Sequence, residues 1–187
     1  SASSGVASFS GLSIDKIGAA YKLAASASGL TPASTPAFDI TANGLFFTLQ
    51  PVSTPAGQNL LVKVAAQDGA GTTDTGFNGQ VTLTLKSVGR SGPSLLGTTT
   101  VSAISGVADF SAAGLNIQKA GVGYVLTASA AALAVGDSSA FDITAGAATK
   151  LVVISSPPNT PADAPFALAA EAQDSYGNLD TGFSGTI

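Results

Sequence analysis

One pattern occurs twice in this chain and constrains its fold more than any other feature. Residues 67–79 and 173–185 share Gln-Asp, Asp-Thr-Gly-Phe and a final Gly in matching positions, 106 residues apart and without a gap. In the first copy an alternating apolar run precedes the pattern and another follows it, which predicts a turn between two β-strands. The spacing exceeds the period of about 20–50 residues that is typical of solenoids, so the repeated unit has the length of a domain.

A second set of matches supports the same repeat. Gly5-Val-Ala-Ser-Phe9 corresponds to Gly106-Val-Ala-Asp-Phe110, and Phe38-Asp-Ile-Thr41 corresponds to Phe141-Asp-Ile-Thr144, the latter with an offset of 103 residues. The unit is therefore about 103–106 residues long. In this register the chain comprises the C-terminal half of one unit (residues 1–42), a complete unit (43–147) and the N-terminal half of the next (148–187).

The half units lead to two hypotheses about assembly. The chain can be a window on a longer tandem array, or half units of different molecules can complete one another by strand exchange, which would build an open filament. Ile187 aligns with Val81, at the start of a predicted strand, and Ser1 aligns with Ser102. A domain completed by strand exchange would therefore lack the counterparts of residues 82–101. This comparison favours the hypothesis that the chain is part of a longer tandem array.

Within the complete unit, short alternating segments predict about seven strands. The clearest is residues 81–86, where Val and Leu alternate with Thr and Lys. Residues 89–97, rich in Gly, Ser and Pro, predict a loop. The other predicted strands cover residues 45–49, 60–66, 98–102, 107–110, 121–128 and 139–144. Short strands with turn signals between them predict an all-β fold of tandem immunoglobulin-like antiparallel β-sandwich repeats.

The order of these motifs resembles a known class of repeat. The order is similar to that of the bacterial Ig-like tandem repeats of invasin- and intimin-like surface proteins. It consists of a strand, then Asp174-x-x-Gly-Asn178, Phe-x-Gly and Val-Thr-Leu, and later Gly-Val-Ala-x-Phe and Gly-x-x-Tyr-x-Leu. The first copy departs from that pattern at Gly71-Thr72, where Gly-Asn is expected. The resemblance implies an extracellular or cell-surface location and a role as stalk, adhesin or filament subunit, with neighbouring copies of the repeat or chain as partners.

The composition excludes several classes of function. The chain contains no His and no Cys, so Ser-His-Asp, Cys-His and zinc–thiolate sites cannot form. Glu171 is the only glutamate, which leaves little for paired-carboxylate chemistry, and we expect no enzyme activity. Seven scattered basic residues in a chain of net charge −4 make no nucleic-acid-binding patch. No apolar run approaches the ~20 residues of a spanning helix, so we expect no membrane insertion.

The repeated turn contains the best candidates for a binding site. Ca²⁺ takes six to eight oxygen ligands, and the turn could supply them from Asp68, Asp74, Asp174, Asn178 and Asp180. Alternatively, these side chains bond their own backbone in Asx-turns, while Gly71 and Gly177 supply positive φ. The local interpretation is favoured because Thr72 stands where the second copy has Asn178. No other cofactor is expected, and the rival function is a calcium- or carbohydrate-binding module of a secreted multidomain protein.

Two further pairs of residues recur between units. Asp39 and Asp142, in Phe-Asp-Ile-Thr, lie near the predicted junctions and could contribute to a calcium site between domains. Tyr21 and Tyr124 are single aromatic residues in equivalent strands. We expect the tyrosines to pack in the core with the hydroxyl bonded to a loop backbone, as in a tyrosine corner, rather than to form a sugar-stacking platform.

Overall fold

The computed structural model describes residues 2–86 and 93–186, and the chain is all-β within these residues. They contain no helix and therefore no helix long and apolar enough to cross a membrane. Their sixteen strands are β1 (Gly18–Tyr21), β2 (Ala24–Ala25), β3 (Ala33–Ser34), β4 (Phe38–Ile40), β5 (Gly44–Leu49), β6 (Thr54–Pro55), β7 (Lys63–Gln67), β8 (Gln80–Leu85), β9 (Thr100–Ser102), β10 (Val107–Asp109), β11 (Gly121–Tyr124), β12 (Leu126–Ser129), β13 (Gly136–Asp137), β14 (Phe141–Thr144), β15 (Lys150–Ser155) and β16 (Ala169–Gln173).

The central part of the chain is β-sandwich-like. One sheet has the order β10-β7-β5 and another has the order β13-β12-β8-β9, and all the pairs in both are antiparallel. A third sheet, β11-β14-β6, includes one parallel pair. The apolar side chains of these sheets meet in a single hydrophobic cluster, as expected where two sheets face each other across a core.

Alternation places the core residues as the sequence predicts. In β8 the side chains of Val81 and Leu83 are each 1% exposed, whereas Thr84 is exposed. Leu83 lies opposite Ala128 of β12, which is fully buried. The pattern follows because successive side chains of a strand point to opposite faces of the sheet.

The strand pairing recurs with the sequence repeat. Tyr21 lies opposite Phe38 in the β1–β4 pair, and Tyr124 lies opposite Phe141 in the β11–β14 pair, with ring centroids 6.3 Å and 6.1 Å apart. The buried Tyr124 hydroxyl donates to the backbone oxygen of Lys119 at 2.9 Å, which confirms the prediction for Tyr124. The prediction is wrong for the packing of Tyr21, which is only half-buried and lies outside the core cluster, although its hydroxyl donates to the backbone oxygen of Lys16 at 3.3 Å. The β15–β16 pair likewise repeats the register of β5 with β7, 106 residues on.

Some predicted boundaries differ from the structure. The single strand predicted for residues 121–128 is wrong: it is divided into β11 and β12, which belong to different sheets. Gly123 has a φ of 71°, which a regular strand does not allow, so the chain changes sheets near this residue. The predicted loop at residues 89–97 lies partly outside the described residues, as do the chain ends Ser1 and Ile187 that were used in the alignment.

Adjacent leucines provide a direct test of where the core lies. Leu60 is 2% exposed and Leu61 is 52% exposed. We expect Leu60→Ala to lower the free energy of unfolding by about 2–5 kcal/mol, because it removes buried methyl groups and leaves a cavity. The same substitution at Leu61 should change it by no more than about 0.5 kcal/mol. Urea unfolding of both variants measures the difference, and equal losses would contradict this core.

Candidate functional site

The first copy of the repeated turn is closed by its leading aspartate. Asp68 Oδ1 accepts the backbone N–H groups of Ala70 at 2.9 Å and Thr72 at 2.8 Å. The N–H of Gly71 donates to the backbone oxygen of Asp68 at 3.1 Å, and Gly71 has a φ of 85°. A short carboxylate that bonds backbone two residues ahead and a glycine at positive φ together form an Asx-turn, so the local interpretation of the pattern is confirmed.

The second copy repeats this geometry closely. Asp174 Oδ1 accepts the N–H groups of Tyr176 at 2.9 Å and Asn178 at 2.8 Å, and Gly177 again has a φ of 85°. Both turns connect a strand of the β7 type to the segment that follows, so the same residues make the same local structure 106 residues apart.

The second aspartate of each turn holds the connection between units. Asp74 Oδ1 accepts the N–H of Gly76 at 3.0 Å within the turn, and Asp74 Oδ2 accepts the N–H of Ala42 at 3.1 Å. Asp180 Oδ2 accepts the N–H of Ala148 at 2.8 Å in the same way. Ala42 and Ala148 lie two residues before the start of β5 and β15, so each turn anchors the segment that leads into its own unit.

Each turn also bonds the backbone of the preceding unit. At the first junction, Asp68 Oδ2 accepts the N–H of Ile17 at 3.3 Å. At the second, Asn178 Oδ1 accepts the N–H of Ala120 at 2.9 Å and its Nδ2 donates to the backbone oxygen of Gln118 at 2.8 Å. Ile17 and Ala120 are counterparts in the repeat. The same backbone position is therefore bonded at both junctions, once by an aspartate and once by an asparagine.

The lengths of the two junctions explain this exchange of roles. Thr41 directly precedes Ala42, whereas residues 145–147 separate the equivalent Thr144 from Ala148. The inserted segment supplies an extra N–H that the turn must satisfy, since an unpaired backbone donor is costly.

In the longer junction, the extra N–H belongs to Gly146 and donates to Asp174. Asp174 Oδ2 accepts the N–H of Gly146 at 2.9 Å and the side-chain Nδ2 of Asn178 at 2.9 Å. Asp174 makes its bonds to this segment and its own turn, and Asn178 makes the bond to Ala120. The departure of Thr72 from the Gly-Asn pattern thus accompanies the shorter junction, where the aspartate itself makes the equivalent bond.

An aromatic contact adds to the second junction. A Cβ atom on Gly57, whose φ is 77°, would overlap the hydroxyl end of the Tyr176 ring. The tyrosine ring therefore packs directly against the backbone of the preceding unit at Gly57. Ala70 occupies the position of Tyr176 in the first turn.

The two leading carboxylates are buried but ionised. Asp68 is 4% exposed and Asp174 is 2% exposed. The N–H of Thr72 is the main cause that holds the pKa of Asp68 below its ordinary value, against an opposing effect of burial and with help from the N–H of Ile17. Burial raises the pKa of Asp174, but hydrogen bonds from Asn178 and from neighbouring backbone outweigh it and leave the pKa lowered. Both carboxylates are charged acceptors at neutral pH.

The predicted calcium ligands already accept hydrogen bonds from the protein. Both carboxylate oxygens of Asp68, Asp74, Asp174 and Asp180 accept backbone N–H groups, and the side-chain oxygen of Asn178 accepts one as well. Within residues 2–86 and 93–186, no group of three or more acidic, His or Cys residues is placed to hold a metal ion. Calcium binding at these positions stays a prediction.

The other recurrent aspartates also bond backbone. Asp142 Oδ1 accepts the N–H of Gly123 at 2.8 Å, and Asp39 Oδ1 accepts the N–H of Ala20 at 2.8 Å. Asp39 and Asp74 both line an open cavity of about 660 Å³ at the first junction. The structure therefore places one predicted interdomain ligand and one turn ligand on the wall of the same cavity.

The partners of the turn were missed by sequence reasoning. Ile17, Ala42, Gln118, Ala120 and Ala148 take part through backbone atoms, so their side chains carry no signal. The sequence offers one clue: the second turn has Asn178 where the first has Thr72, and the junction before the second turn is also the longer one.

Comparison with known proteins finds little similarity. No protein-family model and no curated protein matches the chain. Among solved structures, the chain is similar to a glycosyl hydrolase family 2 member from Bacteroides cellulosilyticus, with 12% sequence identity and a TM-score of 0.37. The similarity covers 64% of this chain and 17% of that one.

The Asn178 bonds to the preceding unit can be tested by amide exchange. Asn178→Ala removes the acceptor of the Ala120 N–H. A hydrogen bond contributes about 1 kcal/mol net, and one or two kcal/mol corresponds to a factor of about 5–30. We therefore expect the Ala120 amide to exchange with deuterium about 5–30 times faster, while amides of β8 and β12 are unchanged. Asn159→Ala at an exposed site is the matched control, and equal effects of the two substitutions would refute the junction bond.

The lowered pKa values predict acid sensitivity. An unfolded aspartate has a pKa of about 3.9, above the folded values of Asp68 and Asp174, so the stabilisation is present above about pH 4 and is lost as pH falls through the folded pKa. We expect the melting temperature of the unaltered chain to fall between pH 5 and pH 2. In the double variant Asp68→Asn/Asp174→Asn this fall should be smaller, and the melting temperature at pH 7 should be lower than that of the unaltered chain. Asp15→Asn, on the surface, serves as control; an unchanged acid transition in the double variant would count against this assignment.

Proposed function

We propose that this chain is a structural repeat segment of a bacterial extracellular or cell-surface protein, a stalk, adhesin or filament subunit built of tandem Ig-like β-sandwich repeats. The proposed units are the C-terminal half of one repeat (residues 1–42), a complete repeat (43–147) and the N-terminal half of the next (148–187). The observation that carries the proposal is the use of the turn side chains: their oxygen atoms bond the backbone of the junction and of the neighbouring unit.

The geometry suits a load-bearing connector. Each turn joins three pieces of chain: its own unit, the connecting segment and the preceding unit. Hydrogen bonds to an ionised acceptor are stronger than neutral ones, and several of them act together at each junction. Such a junction resists bending between units, which is the mechanical property that a spacer requires.

The exposed surface supports an elongated shape. The chain exposes 11624 Å². A compact monomer of 18.1 kDa would expose about 8,100 Å². Part of the excess is the surface expected when units are arranged in a row instead of around one common core, and part belongs to the exposed apolar side chains of the half units, among them Phe9 and Phe166.

Electrostatics favour a structural over a hydrolytic role. A general acid in glycoside hydrolysis needs a carboxyl group with a raised pKa. The pKa values of Asp68, Asp109, Asp137 and Asp174 are all lowered, that of Asp109 to about 2 through its hydrogen bond with Lys63. These four carboxyl groups are therefore unsuited to act as a general acid. With a single glutamate and no His or Cys in the chain, we propose no enzyme activity.

The rival proposal is a calcium- or carbohydrate-binding module of a secreted multidomain protein. One observation favours its calcium form: Asp39 and Asp74 line the same open cavity at the first junction. Two carboxylates supply at most four of the six to eight oxygen ligands that Ca²⁺ takes, so backbone oxygens or water would have to complete the shell.

Small-angle X-ray scattering tests whether the repeats form an elongated rod, as the proposed structural role requires. A compact 187-residue domain has a radius of gyration of about 16 Å. We expect a clearly larger value and the pair-distance distribution of a rod, with one narrow maximum and a long tail. Asn178→Ala combined with Asp180→Ala should broaden that distribution, because it removes bonds at the second junction.

The same samples separate the two proposals. For a structural segment, melting temperature and scattering profile are the same with millimolar CaCl₂ and with a chelator. A rise in melting temperature on addition of calcium, lost in Asp39→Asn/Asp74→Asn, would support the binding module. A radius of gyration near that of a compact domain would overturn the rod proposal.

A further inference from the structure

Three residue pairs of the chain have the side chain and the following glycine that spontaneous succinimide formation requires. They are Asn43-Gly44, Asp68-Gly69 and Asn78-Gly79. In such a pair the backbone nitrogen of the glycine attacks the side-chain carbonyl carbon of the residue before it. Glycine favours the attack because it has no side chain to obstruct it and allows the backbone to rotate widely. The surrounding hydrogen bonds decide which of the three pairs can react.

The turn protects Asp68-Gly69. The carboxylate of Asp68 accepts the N–H groups of Ala70 and Thr72, and its backbone oxygen accepts the N–H of Gly71 at 3.1 Å. The peptide group between Asp68 and Gly69 is therefore held in place. The N–H of Thr72 also holds the pKa of Asp68 below its ordinary value, so the carboxyl group is ionised at neutral pH, and its negative charge resists a nucleophile.

The sheet protects Asn43-Gly44. The N–H of Asn43 donates to the backbone oxygen of Gln67 at 3.1 Å, and the backbone oxygen of Asn43 accepts the N–H of Ala134 at 3.0 Å. Gly44 is buried as the first residue of β5 and lies opposite Gln67. Attack on the side chain requires the peptide group between Asn43 and Gly44 to rotate, and this rotation breaks the bonds that hold it.

The peptide group of Asn78-Gly79 has no such bonds. Within residues 2–86 and 93–186, the N–H of Gly79 donates to no protein group and the backbone oxygen of Asn78 accepts from none. Both residues precede β8, so the ladder of that strand does not fix them. The peptide group can therefore rotate toward the side chain without the loss of a hydrogen bond within the protein.

The side chain of Asn78 is exposed and its carbonyl group is polarised. Its Oδ1 accepts the N–H of Ser105 at 3.2 Å, and its Nδ2 donates to the backbone oxygen of Gly76 at 3.0 Å. The N–H of Ser105 stabilises the negative charge that develops on Oδ1 during attack. The bond from Nδ2 lies at the surface, where water replaces it at little cost.

The exposure of Asn78 does not depend on the incomplete units. Its hydrogen-bond partners, Gly76 and Ser105, belong to the complete unit. Ser184 is its counterpart at the second junction, where the preceding unit is complete, and Ser184 is also exposed. A complete preceding unit therefore leaves this position open to water.

We propose that Asn78 is a site of spontaneous deamidation. The Gly79 nitrogen forms a bond to the side-chain carbonyl carbon, the bond from that carbon to Nδ2 breaks, and Nδ2 leaves as ammonia with the proton that the Gly79 nitrogen loses. Water then opens the succinimide at either of its two carbonyl groups. One product is aspartate, and the other is isoaspartate, in which the main chain runs through the former side chain.

Either product adds a negative charge at the first junction. Asn78 and Asp74 of the complete unit and Asp39 of the preceding unit line the same open cavity. Because like charges repel, the conversion weakens the connection that the Asp74 bond to Ala42 helps to hold. The second junction has Ser184 at this position and is unaffected. This consequence rests on the tandem arrangement of the proposed function, whereas the deamidation does not.

Peptide mapping by mass spectrometry tests the site. The folded chain is incubated in mildly alkaline buffer and digested at intervals, and the acid forms of Asn43 and Asn78 are quantified. A hydrogen bond contributes about 1 kcal/mol net, and one or two kcal/mol corresponds to a factor of about 5–30. We therefore expect Asn78 to convert at least about fivefold faster than Asn43. In concentrated guanidinium chloride, where the sheet no longer protects Asn43, the two rates should be similar.

Two matched variants test the same assignment by ion-exchange chromatography. Asn78→Ser introduces the residue of the second copy and should abolish the main acidic form that accumulates with time. Asn43→Ser should leave that form unchanged.

Three results would contradict the site: equal conversion of Asn43 and Asn78 in the folded chain, a difference between them that persists in denaturant, or an undiminished acidic form in Asn78→Ser. Each of them leaves the elongated scattering profile untouched, so this site and the proposed function fail separately.

Discussion

The structure depends on ionised aspartates that accept backbone N–H groups where units meet. In each turn one carboxylate oxygen closes the local loop, and the other is left to bond a different piece of chain. Short side chains with two acceptor oxygens suit this role, because a buried N–H without an acceptor is costly and a charged acceptor bonds strongly. The turn is thus a connector in two senses: it links two strands within a unit and fastens that unit to the one before it.

The two junctions solve one geometric problem in different ways. The short connection lets Asp68 reach the preceding unit directly. The longer one adds an N–H at Gly146 that occupies Asp174, and Asn178 carries the bond to Ala120 instead. What looks in the sequence like imperfect conservation of a ligand motif between the copies is therefore a change of partner that follows the length of the connection.

The same repeat also shows how burial depends on partners and not on residue type. Phe110 is fully buried and Phe9 is largely exposed, although the two occupy equivalent places in motifs whose leading Ser-Gly pairs, Ser4-Gly5 and Ser105-Gly106, have nearly equal φ values. Local sequence determines the shape of the segment, while the neighbouring strand determines whether its side chains leave water.

Periodicity and turn chemistry determined much of this protein from sequence alone. Patterns within a few residues predicted the alternation of buried and exposed side chains in β8 and the Asx-turns at Asp68 and Asp174. They also predicted the core position of Tyr124. The division of residues 121–128 between two sheets and the backbone partners of the turns could not. A backbone N–H is the same in every residue except proline, so which one meets a carboxylate is decided only when the units come together in three dimensions.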